Sequence, residues 1–228
     1  MKRTLLALVV VAAFAPALAI AEAGDIVVRV RAVHINPDVD SDLGKYTNRN
    51  VGAVLNQGAE LDVDGNTIPE IDFSYYITKN IAAELILATG TRHDVHIVKA
   101  AGSALGNQNL GEVNLLPPTL TLQWHFMPDQ TFDPYVGAGL NITKFMDNRL
   151  ATTKGIAGLP IRVDHHSFGG AIQAGFDVNL KDGWLINADI KKVWIDTDVE
   201  INAGAGYVKV DELEINPWVF GIGIGKKF

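Results

Sequence analysis

The chain has 228 residues, no cysteine, and 26 acidic against 19 basic side chains, for a net charge of −7. A disulfide framework and a cysteine-based metal site are excluded, and so acidic a chain offers no basic footprint for nucleic acid. Beyond the N-terminus no stretch approaches the roughly 20 apolar residues of a spanning helix, so a membrane can be entered only as a closed barrel.

Lys2 and Arg3 precede an apolar run over residues 5–14, Pro16 breaks it, and Ala17-Leu18-Ala19, Ala19-Ile20-Ala21 and Ala21-Glu22-Ala23 follow. This is the form of a cleavable secretory signal. It is predicted over residues 1–21, with the cut between 19 and 23. Residues 22–228 are read as one exported domain.

The domain shows period-two alternation, the mark of strands with two unlike faces. Eight segments carry it. In 25–35, Ile26, Val28, Val30 and Ala32 oppose Arg29 and Arg31. In 67–78, Ile71, Phe73, Tyr75 and Ile77 oppose Glu70, Asp72 and Ser74. In 81–94, Ile81, Ala83, Leu85 and Leu87 oppose Glu84. Segment 118–127 alternates Leu120, Leu122, Trp124 and Phe126 with Thr119, Thr121, Gln123 and His125. In 134–145, Val136, Ala138, Leu140 and Ile142 oppose Tyr135, Gly137, Gly139 and Asn141. In 166–179, Phe168, Ile172, Ala174, Phe176 and Val178 oppose Ser167, Gln173 and Asp177. Segment 183–201 sets Trp184, Ile186, Ala188 and Ile190 against Asn187, Asp189 and Lys191, and its pattern drifts past Lys192. In 213–228, Trp218, Phe220, Ile222, Ile224 and Phe228 oppose Gly221, Gly223 and Gly225.

The connections alternate in length. Lys79-Asn80, residues 128–133 and Lys181-Asp182-Gly183 are short, whereas 36–66, 95–117, 146–165 and 196–212 are long. Outer-membrane barrels have this asymmetry, with short periplasmic turns and long extracellular loops. The expected fold is all-β: an eight-stranded antiparallel up-and-down transmembrane β-barrel. Each segment reaches about 9–11 residues, enough to cross a bilayer. Arg29, Arg31, Glu70, Asp72, Glu84, Gln123, His125, Asp177, Asp189 and Lys191 are then lumen-lining candidates. Alternation alone also permits a soluble, lipocalin-like barrel with its apolar face inward. The number of charges on the opposite face, and the end of the chain, argue against that. Trp218, Phe220 and Phe228 form an alternating, aromatic-terminated last strand, the signature read by the outer-membrane assembly machinery.

At this point the residues resemble a known family. Residues 23–31 (AGDIVVRVR), 77–85 (ITKNIAAEL), 116–120 (LPPTL), 134–141 (PYVGAGLN), 195–198 (IDTD) and 215–220 (INPWVF) match the outer membrane protein W family in order. The resemblance implies an eight-stranded barrel with a narrow lumen in the Gram-negative outer membrane. It also implies a role in passing small hydrophobic molecules into the cell envelope. Lys191, Glu84, Arg29 and Arg31 depart from the apolar lining such a path wants. They fit either a polar, gated conduit or an ion-paired plug, since eight strands leave an interior just wide enough for side chains to fill.

Other constellations carry less. His93 and His96 flank Asp94, and His165 and His166 follow Asp164, but nothing in the sequence brings the pairs together as zinc ligands. Asp38, Asp40 and Asp42 start like a calcium loop, yet position 6 is Leu43 and position 12 is Arg49, so the motif fails. His166-Ser167 are strand neighbours pointing to opposite faces, and Ser74 and His125 lie on non-adjacent strands, so no catalytic pair is expected. Tyr46 and the Leu55 region suit an entry patch or a short helix. The expected partners are outer-membrane lipids, small hydrophobic solutes and the assembly machinery. The expected state is a monomer without cofactor or metal. A non-conducting surface barrel acting through its loops as a structural, adhesion or receptor module is the competing reading, and lipid-modifying catalysis a third.

Overall fold

A computed structural model describes residues 22–88, 91–148, 150–155, 158–202, 204 and 206–228. The predicted signal segment, residues 1–21, lies outside the described residues. In chain order the elements are β1 (Ile26–Asn36), α1 (Leu43–Asn50), β2 (Glu60–Val63), β3 (Asn66–Tyr76), β4 (Ile81–Ala88), β5 (Thr91–Val98), β6 (Gln108–Leu116) and β7 (Thr119–His125). They continue as β8 (Phe132–Asn148), β9 (Leu150–Ala151), β10 (Pro160–Val163), β11 (His166–Asn179), β12 (Trp184–Val193), β13 (Asp196–Asn202), β14 (Tyr207–Glu214) and β15 (Trp218–Lys227).

Eight of these form a closed antiparallel ring, β1-β3-β4-β7-β8-β11-β12-β15, with β15 returning to β1. Closure gives every strand of the ring a neighbour on both sides, so no whole strand edge is left open to lipid. The seam is completed at the chain end, where the Phe228 amide donates to the Ile26 carbonyl (2.8 Å) and the Ile26 amide to Phe228 (3.1 Å). The three short turns stand where they were expected, all at one end. The turn at 181–183 passes through Asp182 (φ 57°) and Gly183 (φ 76°), both in the left-handed region.

The alternating faces resolve the direction of the barrel. Leu120, Leu122 and Phe220 are 56%, 54% and 46% exposed, while Arg29 and Asp72 are wholly buried. The apolar face is therefore outside. Tyr75, Trp124, Phe126, Trp184 and Phe228 lie exposed at the turn end of that belt, forming one aromatic girdle.

The long connections differ from plain loops. Residues from all four fold into β-structure above the barrel. β5 and β6 pair with each other, β2 adds to β5, and β6 docks on the upper part of β8. A second sheet, β14-β13-β10-β9, stands beside them. The segments read as single strands over 183–201 and 213–228 each break at the rim. Trp194 and Ile195 separate β12 from β13, and Ile215, Asn216 and Pro217 separate β14 from β15. Pro217 has no amide hydrogen to continue a ladder, and the Asn216 side chain accepts the Ile195 amide instead (3.1 Å). The bent strands leave the barrel wall to form the second sheet. The Tyr46 region is the short helix: α1 lies over the outer mouth, with Leu55 buried beneath it.

Candidate functional site

The lumen has two chemically distinct halves. In the lower half, β1 turns Arg29 and Arg31 inward. On one flank β3 sets Asp72 and Glu70 directly opposite them; on the other, β15 sets Gly225 and Gly223. The glycines make room for the arginines. A Cβ on Gly223 would lie 2.7 Å from the Arg31 Cγ, and one on Gly225 2.8 Å from the Arg29 Cγ. Both contacts are closer than carbon atoms approach without a shift.

Arg29 donates to Asp72 Oδ1 (2.9 Å), to Ser74 Oγ (2.7 Å) and across the lumen to Asp177 Oδ2 (2.7 Å). Arg31 donates to Asp189 Oδ2 (2.9 Å), pairs with Glu70, and lies 3.1 Å from Asp72 Oδ2. Glu84 faces both arginines and accepts from Thr121 Oγ1 and Gln173 Nε2, each at 2.9 Å. Lys191 pairs with Asp189. Below this layer His125 Nδ1 meets Asp133 Oδ2 at 2.7 Å, with Gln123 and Tyr76 beside the ring. All ten lumen-lining candidates are buried inside the barrel. Three cations (Arg29, Arg31 and Lys191) face five carboxylates, so each ion is surrounded by opposite charge, as burial in a low-dielectric interior requires.

The upper half is apolar. The inward face of β1 changes from Arg29 and Arg31 to Val33 and Ile35, that of β4 from Glu84 to Ile86 and Ala88, and that of β12 from Asp189 and Lys191 to Val193. The alternation continues while its chemistry switches, a signal present in the sequence that a tally of charged inward residues passes over. These side chains, with Ile68, Leu115, Ile195 and Val219, enclose a chamber of about 60 Å³ whose lining also includes Glu70, Lys191 and Asn141. His93 lines it too. Its Nδ1 lies 2.7 Å from the Asp64 carbonyl, and burial holds its pKa below the ordinary 6.5, which favours the uncharged ring.

Val63 and Ile215 line both this chamber and a narrow space of about 20 Å³ above it. Leu61, Leu110, Ile161 and Val199 line that space and a third cavity, of about 170 Å³, beneath α1. Three apolar cavities with shared lining residues are thus stacked between α1 and the ionic layer.

Among the described residues the ladder is thin beside the chamber. The β4–β7 ladder runs from Ile81–Trp124 to Ile86–Thr119, and beyond it Leu87 and Ala88 are registered against β3. Opposite them stand Pro117 and Pro118, neither with an amide hydrogen to donate.

The remaining candidates are dispersed. His96 pairs with Asp64, and the Ser167 hydroxyl donates to Asp196 while His166 is exposed. Asp38 pairs with Lys192 and Asp42 with Lys45. Ser74 is engaged by Arg29, and His125 by Asp133. Among the described residues there is no group of three or more His, Asp or Glu side chains arranged to hold a metal. Trp218, Phe220 and Phe228 all point outward from the last strand.

The OmpW family model matches residues 22–228. The chain belongs to the OmpW family. It is 38% identical to outer membrane protein W of Vibrio cholerae, over all of both chains, and 33% identical to that of Escherichia coli K12, over 91% of this chain and 90% of the relative. The crystal structure of OprG from Pseudomonas aeruginosa superposes with a TM-score of 0.78 at 30% identity, covering 91% of this chain and 97% of that one. This OmpW-family chain is accordingly an outer-membrane β-barrel of a Gram-negative bacterium. The short turns lie on the periplasmic side, and the apolar cavities lie toward the extracellular side.

Proposed function

We propose that the barrel lets small, largely apolar molecules pass passively from the cell surface into the outer membrane. The observation that carries this reading is the apolar chamber seated on the ion-paired layer. A solute descending through the stacked cavities meets side chains like itself, then a floor of buried charge it cannot enter without desolvating paired ions. The thin stretch of wall just above the Ile86–Thr119 pair, beside Pro117, offers the sideways exit into lipid. In this reading the barrel acts without catalysis or a bound cofactor, as a monomer, and its lower half keeps water and ions out.

The test is flux of a small apolar solute into liposomes carrying the purified barrel, against liposomes carrying a barrel whose chamber is blocked by Ala88→Trp. Faster flux through the unmodified barrel supports the proposal; equal flux rejects it. The folded extracellular sheets favour a second reading, a non-conducting surface module that binds a partner through them. Removing part of β13 and β14 would then abolish partner binding and leave permeability unchanged.

A further inference from the structure

The cavity beneath α1 is nearly three times the volume of the chamber below it, and one polar atom in its wall has no partner. Leu43 and Thr47 stand one turn apart on the buried face of α1, and both line the cavity with Val54, Leu110, Val199 and Val210. Thr47 is only 5% exposed, and its Oγ1 has no hydrogen-bond partner among the described residues. The other threonine in the wall, Thr152, accepts the Leu159 amide (3.1 Å). Buried hydroxyls are rarely left unpaired, because the lost bonds to water are not replaced.

The helix is held down over the cavity. A Cβ on Gly44 would fall 2.1 Å from the Asn56 carbonyl oxygen, so glycine lets α1 sit directly on residues 56 and 57. Asn48 brackets Leu55, donating to its carbonyl (2.8 Å) and accepting its amide (3.2 Å). Ser41, just before the helix, donates to Asp211 Oδ2 (2.5 Å) and accepts the Leu61 amide (2.8 Å).

We infer that this cavity is a binding site for a neutral, ring-sized apolar molecule carrying one hydrogen-bonding group, which Thr47 Oγ1 engages. The volume, about 170 Å³, is close to the roughly 150 Å³ of an engineered apolar cavity that stays dry and binds benzene. The walls offer no countercharge, so ions are excluded, and the single free hydroxyl selects a phenol-like molecule over a plain hydrocarbon. The assignment deepens the conduit reading and rests on it for where the bound molecule goes next.

The experiment is fluorine NMR of 4-fluorophenol and of fluorobenzene, titrated into the full barrel in phosphatidylcholine nanodiscs, with empty nanodiscs as background. Saturable broadening above background is expected for both, with 4-fluorophenol bound more tightly. Thr47→Val keeps the shape and removes the hydroxyl. It should weaken 4-fluorophenol binding about three- to tenfold, one hydrogen bond's worth, and leave fluorobenzene unchanged. Val210→Phe fills the cavity from β14 and Val199→Phe from β13, and each should abolish both signals in barrels that keep their heat-modifiable gel mobility. Broadening that matches empty nanodiscs, or that survives both filling variants, overturns the site. An unchanged phenol preference in Thr47→Val overturns the role of the hydroxyl. Saturable binding without liposome flux keeps the site and removes the conduit reading; flux without saturable binding does the reverse.

Discussion

Arg29 and Asp177 are 148 residues apart in sequence and touch across the lumen, Nη2 to Oδ2 at 2.7 Å. Arg29 stands on β1 and Asp177 on β11, with β15 and β12 between them around the ring. The contact therefore exists only in the closed barrel. Asp177→Ala leaves one edge of a wholly buried guanidinium unpaired. The expected cost is about 3 kcal/mol, the low end for a broken buried pair because Asp72 still faces Arg29. Asp177→Asn keeps an acceptor and should lose less. Urea unfolding in lipid vesicles measures both, and equal losses would show that a neutral acceptor contributes nothing there and that the charge carries the whole effect.

The lipid face makes a second prediction. Leu122 is 54% exposed on the apolar belt, whereas Thr121 beside it is buried in the lumen. Leu122→Arg places a charge against acyl chains and should destabilise the folded barrel by about 2–4 kcal/mol if its depth is near the midplane. Leu122→Ile should be nearly silent. An arginine tolerated as well as isoleucine in the same vesicle assay would invert the assignment of faces.

The wall beside the chamber can be altered by one atom group. Pro117→Ala restores an amide hydrogen opposite the upper end of β4. One added ladder bond, worth about 1 kcal/mol, should hold the wall closed and reduce apolar flux into liposomes about fivefold. Flux equal to that of the unaltered barrel would place the exit elsewhere.

Asp211 sets a pH dependence for the extracellular cap. Its buried carboxylate accepts the Ser41 hydroxyl and the Asp42 and Glu212 amides, yet burial dominates and raises its pKa above the ordinary 3.8, with nearby Asp42 adding to the rise. A folded-state pKa above the unfolded one means the folded cap binds the proton more tightly. Its stabilising contribution is full below the ordinary carboxylate range and is lost as pH rises through the raised value. Asp211→Asn cannot titrate, so the stability difference between variant and wild type should change with pH across that window. Amide exchange in residues 41–61 reports it, and a difference independent of pH would remove Asp211 as the cause.

Much of this molecule is legible along the chain. The period-two patterns gave the eight staves, the facing of Leu120 and Arg29, and the tight turns at 79–80 and 181–183, because strand side-chain direction is a local property. The long connections were not legible as sheets. Their strands are short, and β13 and β14 are stable only by pairing with each other and resting on a neighbouring wall. The apolar upper lumen was half visible, since Val33, Ile35, Ile86 and Val193 continue the inward series beyond the last charges.

Sequence alone determined that the chain makes eight two-faced strands and which side chains share each face, since alternation needs no partner strand to have meaning. The charges on one face and the aromatic last strand then pointed that face into the lumen, and the exposure of Leu120 and burial of Arg29 in the closed ring settled it. Only the tertiary structure decided that the charges gather into one paired layer, that the cavities above them are apolar, and that Thr47 is left unpaired over a cavity. Those facts depend on ring closure and strand stagger, which bring residues from opposite walls to the same height, and no local pattern encodes that distance.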